Sequence, residues 1–435
     1  MTSVEPAPSI SGATEAAVAA AHERYRAARP RSAAQAEAAA AVLPGGSTRS
    51  VLDFAPFPFR VARADGAHLH DVDGHTYLDL LGDYTAGLLG HNPPEVAAAV
   101  VAVTERGWSL GAVAEDEHRL AELITSRFAS MAQMRFTNSG TEANLMAISL
   151  ARHTTGRTKV LVFDGAYHGG LLYFGAGGEA LRMPFDYVHA TYNDSRSVAE
   201  VFERHGAEIA CVLVEPMMGA GGGIQGTPAF LAALRQTCRD HGALLVFDEV
   251  MTSRMSIGGA QGWLGITPDI TTLGKYLGGG MTFGAFGASA ELMAAFDPAR
   301  GGTLTHGGTF NNNAITMRAG VAAVEQILTA DALDGLFARG ERLRAGLTDV
   351  IGTRPYTVTG WGSILGVHAT GGPVSSPADL AGVDPLRAEL LFHHLLDRGI
   401  YIARRGFIAL SLPVTDADLD RAVEAVDHAI TTIER

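Results

Sequence analysis

Cysteine is scarce in this chain, with two residues, Cys211 and Cys238, among 435. Two cysteines cannot build a disulfide framework, and their spacing matches no metal-ligand motif. We therefore expect no metal site and a reducing, cytoplasmic location.

Positive charge and long apolar runs are lacking as well. Lys and Arg number 33 against 46 Asp and Glu, a formal net charge of −13. This balance argues against a nucleic-acid partner, because phosphate backbones bind to basic faces. No stretch approaches the roughly 18 consecutive apolar residues of a membrane span. The acidic Glu5 stands where a signal peptide would be basic, so we expect neither a span nor a signal peptide.

Lysine is the rarest charged residue, since only Lys159 and Lys275 occur among the 33 basic residues. A lysine amine can lose its proton near neutral pH when its surroundings lower its pKa, whereas an arginine cannot. Lys159 opens an apolar run and is typical of a surface charge. Lys275 stands in Leu-Gly-Lys-Tyr-Leu-Gly-Gly-Gly, a segment that indicates a specific role.

The hydrophobic pattern divides the chain into three parts. Residues 1–82 predict a helix over about 14–29, an irregular arm and short antiparallel strands with Asp-Gly turns. Residues 83–330 predict a large domain in which helices cover a mostly parallel sheet, and residues 331–435 a smaller α+β domain. The overall class is therefore α/β. The apolar runs that predict the parallel strands are 160–163, 210–214, 244–247 and 270–273.

Two chemically active side chains follow predicted strands. Asp248 comes directly after Leu-Leu-Val-Phe, and Lys275 comes after Ile-Thr-Thr-Leu-Gly. In open α/β sheets, ligands bind beyond the carboxyl ends of the strands. We therefore expect this carboxylate and this amine at one edge of the sheet.

Two further segments are predicted at the same edge. Tyr167 lies in the glycine-flanked turn 165–170, which follows another apolar run. The hydroxyls and N–H groups of a predicted helix N-terminus can hold a phosphate. The residues in that position are Ser139, Gly140 and Thr141.

An amine, a carboxylate, an aromatic ring and a phosphate seat are together what pyridoxal 5'-phosphate (PLP) requires. Lys275 would form the Schiff base and then carry a proton between substrate and cofactor carbons. Asp248 would keep the pyridine nitrogen protonated, because opposite charges favour each other's ionised forms.

A second cofactor class is left open by residues 221–226. Their sequence, Gly-Gly-Gly-Ile-Gln-Gly, satisfies the dinucleotide-binding pattern, follows a strand, precedes a helix and has Asp248 about 20 residues on. Six residues separate it from the strand that ends near Val214, whereas a tight pyrophosphate turn should begin at the strand end. An NAD-dependent oxidoreductase is therefore the alternative enzyme class.

From residue 43 onward the chain resembles the class III, fold type I, PLP-dependent aminotransferases. The matching segments occur in the family's order. They are Asn-Ser-Gly-Thr-Glu-Ala-Asn (138–144), Gly-Ala-Tyr-His-Gly (165–169), Val-Glu-Pro (214–216), Phe-Asp-Glu-Val (247–250) and Leu-Gly-Lys (273–275).

The resemblance implies a homodimer whose active sites lie at the subunit interface. It implies that Thr309 reaches the phosphate bound by the other subunit, and that Val250 packs on the ring face opposite Tyr167. Further cofactor contacts that it implies are those of His168 and Glu215.

Two subgroups compete within this resemblance. Glutamate-1-semialdehyde 2,1-aminomutases share the Pro-Gly-Gly opening, the 139–143 segment and the Asp-Glu-Val strand. Longer runs look closer to β-phenylalanine aminotransferases, so we favour that subgroup. These runs are Arg-Ser-Val-Leu (49–52), Asp-Tyr-Thr-Ala-Gly (83–87), Asp-Glu-Val-Met-Thr-Ser-Arg (248–254), Gly-Gly-Thr-Phe-Asn-Asn-Asn (307–313) and Arg-Gly-Phe (405–407).

Two arginines complete the predicted site. A bidentate arginine is the best ligand for a carboxylate, and Arg49 stands in an aromatic-rich arm. We expect Arg49 to bind the donor's carboxylate and, by resemblance, Arg405 to bind the acceptor, a 2-oxo acid such as 2-oxoglutarate. The resemblance thus implies a transaminase for an aromatic β-amino acid.

Overall fold

The structure is a computed structural model that describes residues 10–435. Glu5, on which the signal-peptide argument rests, lies outside the described residues. The helices are α1 Ile10–Ala28, α2 Pro30–Ala40, α3 Pro94–Thr104, α4 Glu115–Thr125, α5 Gly140–Thr155, α6 Ser195–His205, α7 Pro228–His241, α8 Gly259–Leu264, α9 Ala290–Met293, α10 Ala314–Ala322, α11 Ala330–Ile351, α12 Pro385–Asp397 and α13 Asp416–Ile433.

The strands belong to four sheets. They are β1 Val61–Asp65, β2 His68–Asp71, β3 Thr76–Asp79, β4 Gln133–Thr137, β5 Lys159–Phe163, β6 Asp186–Ala190, β7 Ile209–Val214, β8 Met217–Met218, β9 Ile224–Gln225, β10 Leu244–Asp248, β11 Ile270–Gly274, β12 Gly284–Ala288, β13 Thr357–Trp361, β14 Ile364–His368, β15 Ile400–Tyr401 and β16 Phe407–Ala409.

The central sheet has the strand order β4-β12-β11-β10-β7-β5-β6. β12 is antiparallel to both of its neighbours, and the other pairs are parallel. All six residues of β7 are buried, as expected for a strand covered on both faces. The prediction of an α/β fold with a mostly parallel sheet is therefore confirmed.

A smaller sheet joins segments that are distant in the chain. The meander β1-β2-β3 is antiparallel, as its Asp-Gly turns predict, and β15 adds to it in parallel to β3. Strands β13, β14 and β16 form a separate antiparallel sheet. The N-terminal and C-terminal parts thus share one sheet, while the division at residues 82/83 and 330/331 stays a prediction.

The first helix ends where proline chemistry requires it. It was predicted over about 14–29, and α1 stops at Ala28 because Pro30 disfavours helical geometry at the residue before it. Arg29 is buried in the break between α1 and α2. Its Nε donates to the Tyr77 hydroxyl over 2.8 Å and lies 3.7 Å from Asp71.

A His-Glu-His cluster fastens α1 to α12. Nε2 of His22 and of His393 lie 3.0 and 3.2 Å from Oε1 of Glu389. The Ala55 carbonyl also lies 3.1 Å from His393 Nε2, and the Arg404 guanidinium lies 3.6 Å from Oε2 of Glu389. Nε2 of His393 and both carboxylate oxygens of Glu389 thus have partners within the protein.

Among residues 10–435, no helix is both long and apolar enough to cross a bilayer.

Candidate active site

The parallel register of β10 and β11 brings the predicted acid and amine to one edge of the sheet. Asp248 is the last residue of β10 and is aligned with Thr272 of β11, and Lys275 is the first residue after β11. The N-terminus of α5 follows β4 at the same edge, and the turn with Tyr167 follows β5. This is the edge at which open α/β sheets bind ligands.

The Asp248 carboxylate is buried and held by three donors. Oδ2 accepts from Nδ2 of Asn144 over 2.8 Å and contacts Nδ1 of His168 over 2.7 Å. Oδ1 accepts from the backbone N–H of Val250 over 3.0 Å. Asn144 is itself fixed, since its Oδ1 accepts from the Thr272 hydroxyl over 2.7 Å. These three contacts fix the position and orientation of the carboxylate.

The Lys275 amine is anchored from a different part of the chain. Nζ donates to the Tyr84 carbonyl over 2.5 Å and to Oγ1 of Thr85 over 2.9 Å. Burial lowers the pKa of Lys275 to about 8, although the carboxylates of Asp248 and Asp83 act to raise it. About a tenth of this amine is therefore neutral, and nucleophilic, at pH 7, against well under a thousandth for an ordinary lysine.

The N-terminus of α5 presents backbone N–H groups at this edge of the sheet. Ser139 caps the helix, because its hydroxyl oxygen accepts from the N–H of Glu142 over 3.2 Å. The Ala143 N–H makes a helical bond to the Ser139 carbonyl, and the N–H groups of Gly140 and Thr141 precede it. These N–H groups carry the positive end of the helix dipole.

Val250 packs over two glycines at this edge. A Cβ atom at Gly140 would lie 2.8 Å from Cγ2 of Val250, and one at Gly274 would lie 3.1 Å from Cγ1. These separations are shorter than normal carbon contacts, so side chains at these two positions would displace Val250. The absence of side chains at Gly140 and Gly274 therefore leaves the space that the Val250 side chain fills.

Glu215 supports the turn that presents Tyr167. Its Oε1 accepts from the Tyr167 N–H, and its Oε2 from the Gly219 N–H, each over 3.0 Å. Burial raises the pKa of Glu215 to about 7, with His168 acting to lower it and Asp248 acting to raise it. The Tyr167 side chain is 43% exposed at the edge of the site. Both carboxylate oxygens of Glu215 are therefore occupied by backbone N–H groups, those of Tyr167 and Gly219.

The two predicted carboxylate ligands meet around Tyr84. Nη1 of Arg49 lies 2.6 Å from Oδ1 of Asp83, in an ion pair whose side chains are 47% and 49% exposed. The guanidinium carbons of Arg49 and Arg405 lie 6.0 and 5.2 Å from the centroid of the Tyr84 ring. Residues 356 positions apart in sequence therefore lie beside the ring of one residue, Tyr84, whose carbonyl accepts from the Lys275 amine.

Thr309 is exposed, in a loop that is tied to the start of α5. Asn311 in this loop accepts through Oδ1 from Nδ2 of Asn138 over 2.8 Å.

A cavity of about 780 Å³ opens onto Lys275. Its lining also includes Asp83, Leu52 and Tyr401.

The family model of the class-III aminotransferases matches residues 53–430. The chain belongs to the class III aminotransferases. It is 51% identical over 420 residues to a β-phenylalanine transaminase of Variovorax paradoxus, with 96% of each sequence covered.

Solved structures place this aminotransferase in fold type I. The crystal structure of the Variovorax paradoxus β-phenylalanine aminotransferase matches with a TM-score of 0.94, covering 96% of this chain and 98% of that one. An ω-transaminase from Sphaerobacter thermophilus matches at 37% identity and a TM-score of 0.87, with 93% and 98% covered. A glutamate-1-semialdehyde aminomutase from Pseudomonas aeruginosa matches at 25% identity and 0.88, with 97% and 98% covered.

Class III aminotransferases use PLP, and the site residues fit this cofactor. The Asp248 carboxylate suits a protonated ring nitrogen, the Lys275 amine has a lowered pKa, and the α5 N-terminus suits a phosphate. The packing of Val250 against Gly140 provides an apolar wall between these polar groups.

Residues 221–226, whose glycine pattern allowed a dinucleotide-binding site as an alternative, have a packing role in this aminotransferase. It forms the hairpin between β8 and β9, away from the end of β7. The Gly222 carbonyl accepts from Oγ1 of Thr359 over 2.6 Å, and a Cβ atom at Gly222 would lie 2.2 Å from Leu380. Close contact with the C-terminal part therefore explains Gly222.

Several site residues were not singled out from the sequence. Asn144 could have been found, since it is a polar residue on the buried face of α5. Asp83, Tyr84 and Thr85 were noted only as part of the run 83–87 in the family resemblance and received no role, because the turn that carries them meets Lys275 only in the folded chain.

Proposed function

We propose that this aminotransferase transfers the amino group of an aromatic β-amino acid of the β-phenylalanine type to a 2-oxo acid such as 2-oxoglutarate. The observation that carries the proposal is the likeness to the Variovorax paradoxus β-phenylalanine transaminase over nearly the whole of both chains. The two arginines beside the Tyr84 ring agree with substrates that carry carboxylates.

Lys275 and Asp248 are the proposed catalytic residues. PLP, when bound, supplies an electron-withdrawing ring for the carbon that carries the substrate's amino group. Nζ of Lys275 would take the proton from that carbon and deliver it to the cofactor carbon that receives the amino group, a task for which a pKa of about 8 is suited. The Asp248 carboxylate, fixed by Asn144 and His168, holds the proton on the ring nitrogen.

The other proposed cofactor contacts follow from position. Ser139, Gly140 and Thr141 bind the phosphate at the positive end of α5, and Tyr167 and Val250 cover opposite faces of the ring. His168 and Glu215 support the cofactor contacts indirectly. His168 contacts the Asp248 carboxylate, and Glu215 accepts from the Tyr167 N–H in the turn.

Arg49 is proposed to bind the donor's carboxylate and Arg405 that of the acceptor. Each guanidinium offers two parallel N–H groups, which match the two oxygens of a carboxylate. In the absence of substrate, the Asp83 carboxylate forms an ion pair with Nη1 of the Arg49 guanidinium.

We further propose a cytoplasmic homodimer in which the partner's Thr309 contacts the phosphate. Large apolar side chains exposed on the single chain support the dimer, because such groups cluster at interfaces. They include Val101, Trp108, Leu110, Val113 and Phe310. The thiols of Cys211 and Cys238 are both buried and free, which is compatible with a reducing compartment.

An absorbance titration of the purified holoenzyme tests the substrate. Adding β-phenylalanine without an acceptor should replace the absorbance of the PLP form by that of the pyridoxamine form, and 2-oxoglutarate should reverse the change. An unchanged spectrum with β-phenylalanine would refute the proposed donor. A response to glutamate-1-semialdehyde instead would favour the aminomutase activity, for which the likeness at 25% identity is the weaker support.

A further inference from the structure

Tyr84 contacts three parts of the site at once. Its carbonyl accepts from Nζ of Lys275 over 2.5 Å, and its hydroxyl donates to the Val51 carbonyl over 2.8 Å, in the turn that follows Arg49. Its ring lies beside the guanidinium carbons of Arg49 and Arg405, at 6.0 and 5.2 Å. One residue thus joins the lysine amine to both proposed carboxylate ligands.

The backbone at Tyr84 is strained. The φ angles of Gly82, Asp83, Tyr84 and Thr85 are +52°, +43°, +51° and +77°, all in the left-handed region that side-chain-bearing residues rarely adopt. Strain of this kind persists only where the surroundings hold it, and it concentrates at functional sites. Three consecutive non-glycine residues in this conformation therefore mark the turn as a candidate functional element.

Hydrogen bonds hold the strained turn from both sides. Oδ1 of Asp79 accepts from the N–H groups of Leu81 and Gly82 over 2.9 Å each. The Gly87 N–H donates to the Gly82 carbonyl over 2.9 Å. With the turn fixed in this way, the Tyr84 carbonyl meets the lysine amine while its side chain extends to the arm.

We infer that Tyr84 is a positioning residue that sets the two carboxylate-binding arginines relative to the Lys275 amine. The inference rests on the roles proposed above for Arg49 and Arg405. An arginine beside an aromatic ring is held by cation–π attraction and keeps its N–H groups free for a carboxylate. The hydrogen bond from the Tyr84 hydroxyl to the Val51 carbonyl holds the arm that carries Arg49. Its loss should therefore weaken binding of the donor's carboxylate more than binding of the acceptor's carboxylate.

Two variants separate these contributions. Tyr84→Phe keeps the ring and loses the hydroxyl bond to the arm, and Tyr84→Leu loses the ring as well. Tyr187→Phe is the matched control, because it removes a hydroxyl bond to the Met183 carbonyl, of 2.9 Å, on the edge strand β6. All variants are compared as full-length holoenzymes.

The readouts are chosen so that turnover is not required. The dissociation constants of 3-phenylpropionate and of glutarate, carboxylates that lack the amine and the oxo group, are measured from the PLP absorbance. We expect Tyr84→Phe to weaken 3-phenylpropionate about threefold with less effect on glutarate, as for the loss of one hydrogen bond. Tyr84→Leu should weaken both about tenfold, because both guanidiniums lose the ring. Tyr187→Phe should change neither.

Turnover adds a ratio that a merely structural role would not move. The ratio of kcat/KM for β-phenylalanine to that for 1-phenylethylamine, which lacks the carboxylate, should fall in both Tyr84 variants. Unchanged acid binding and an unchanged ratio in Tyr84→Phe would overturn the inference, even if Tyr84→Leu failed to fold. Wild-type enzyme that binds neither acid would overturn it too. Wild-type enzyme that binds both acids in a Tyr84-dependent way but does not convert β-phenylalanine would refute the proposed function alone.

Discussion

Asn144 Nδ2 lies 2.8 Å from Oδ2 of Asp248, and this bond ties the first turns of α5 to the end of β10. The same amide group donates to the His168 carbonyl over 3.0 Å. Helix α5 therefore contributes twice to the site, through the N–H groups at its start and through an amide that fixes the carboxylate one turn later.

Replacing Asn144 should impair catalysis while leaving the fold intact. Asn144→Ala removes a donor from a buried carboxylate, a loss that corresponds to about tenfold or more in kcat/KM. Gln236→Ala is the matched control, since it removes an amide–carboxylate bond of 2.7 Å to Asp240 on the exposed face of α7. Steady-state kinetics with equal PLP occupancy measure the effect. Equal rates in both variants would contradict a supporting role for Asn144.

The two lysines of the chain allow a direct test of the covalent site. Borohydride reduction of the holoenzyme followed by peptide mass spectrometry should find PLP on Lys275 and not on Lys159. The reason is that the hydrogen bond to Asp186 raises the pKa of Lys159, whereas burial lowers that of Lys275 to about 8. Lys275→Ala should abolish both labelling and turnover, and Lys159→Gln should change neither. Turnover by Lys275→Ala would disprove the proposed mechanism.

Much of this site follows from local sequence, and the rest does not. Asp248 and Lys275 could be placed because each directly follows an apolar strand, and parallel strands deliver such residues to one edge. Ser139 was foreseeable as a helix start from its residue type. In each case the decisive information lies within a few residues.

The residues that were missed depend on contacts between distant segments. The bond from Lys275 to Thr85 spans 190 positions, and that from Asn144 to Asp248 spans 104. Asp83 and Tyr84 are also unusual in adopting positive φ angles, which their residue types do not announce. The role of Thr309 stays a prediction, because it concerns a second subunit.

The capture of PLP by the apoenzyme should depend on pH through Lys275. Only the neutral amine attacks, and the pKa of this amine is lowered from 10.5 to about 8. The rate constant should therefore rise about tenfold per pH unit below pH 8 and level off above it. Stopped-flow absorbance measures the profile. Because Asp83 acts to raise this pKa, Asp83→Asn should move the midpoint to lower pH; a midpoint near 10.5 in the wild type would contradict the lowered value.

The same lowered pKa has a consequence for the stability of the apoenzyme. Between about pH 8 and 10.5 the unfolded chain keeps a proton that the folded amine has lost. The contribution of Lys275 to the free energy of unfolding therefore rises with pH across this window. Lys275→Met should flatten this part of the pH profile, which denaturant titration of the wild type and the variant would detect.

The ion pair between Arg49 and Asp83 should compete with substrate. Asp83→Asn releases the guanidinium from a pair that is about half exposed, so the dissociation constant of 3-phenylpropionate should fall about twofold. Asp65→Asn is the control, because it breaks a comparably exposed pair with Arg63 away from the site. A weaker affinity in Asp83→Asn would mean that Asp83 orients Arg49 for the substrate instead of competing with it.

Gly140 should tolerate no side chain, because a Cβ atom there would lie 2.8 Å from Val250. Gly140→Ala should lower the free energy of unfolding by about 1–3 kcal/mol through overpacking and weaken PLP binding. The control is Gly335→Ala in α11, where no atom lies within 4 Å of the new Cβ and the helix gains up to about 1 kcal/mol. Adding Val250→Ala to Gly140→Ala should restore stability, since it removes the clashing methyl groups. Denaturant titration of all four chains decides: equal stability of Gly140→Ala and Gly335→Ala would show that Val250 moves aside freely and is not the fixed wall that we propose for the cofactor ring.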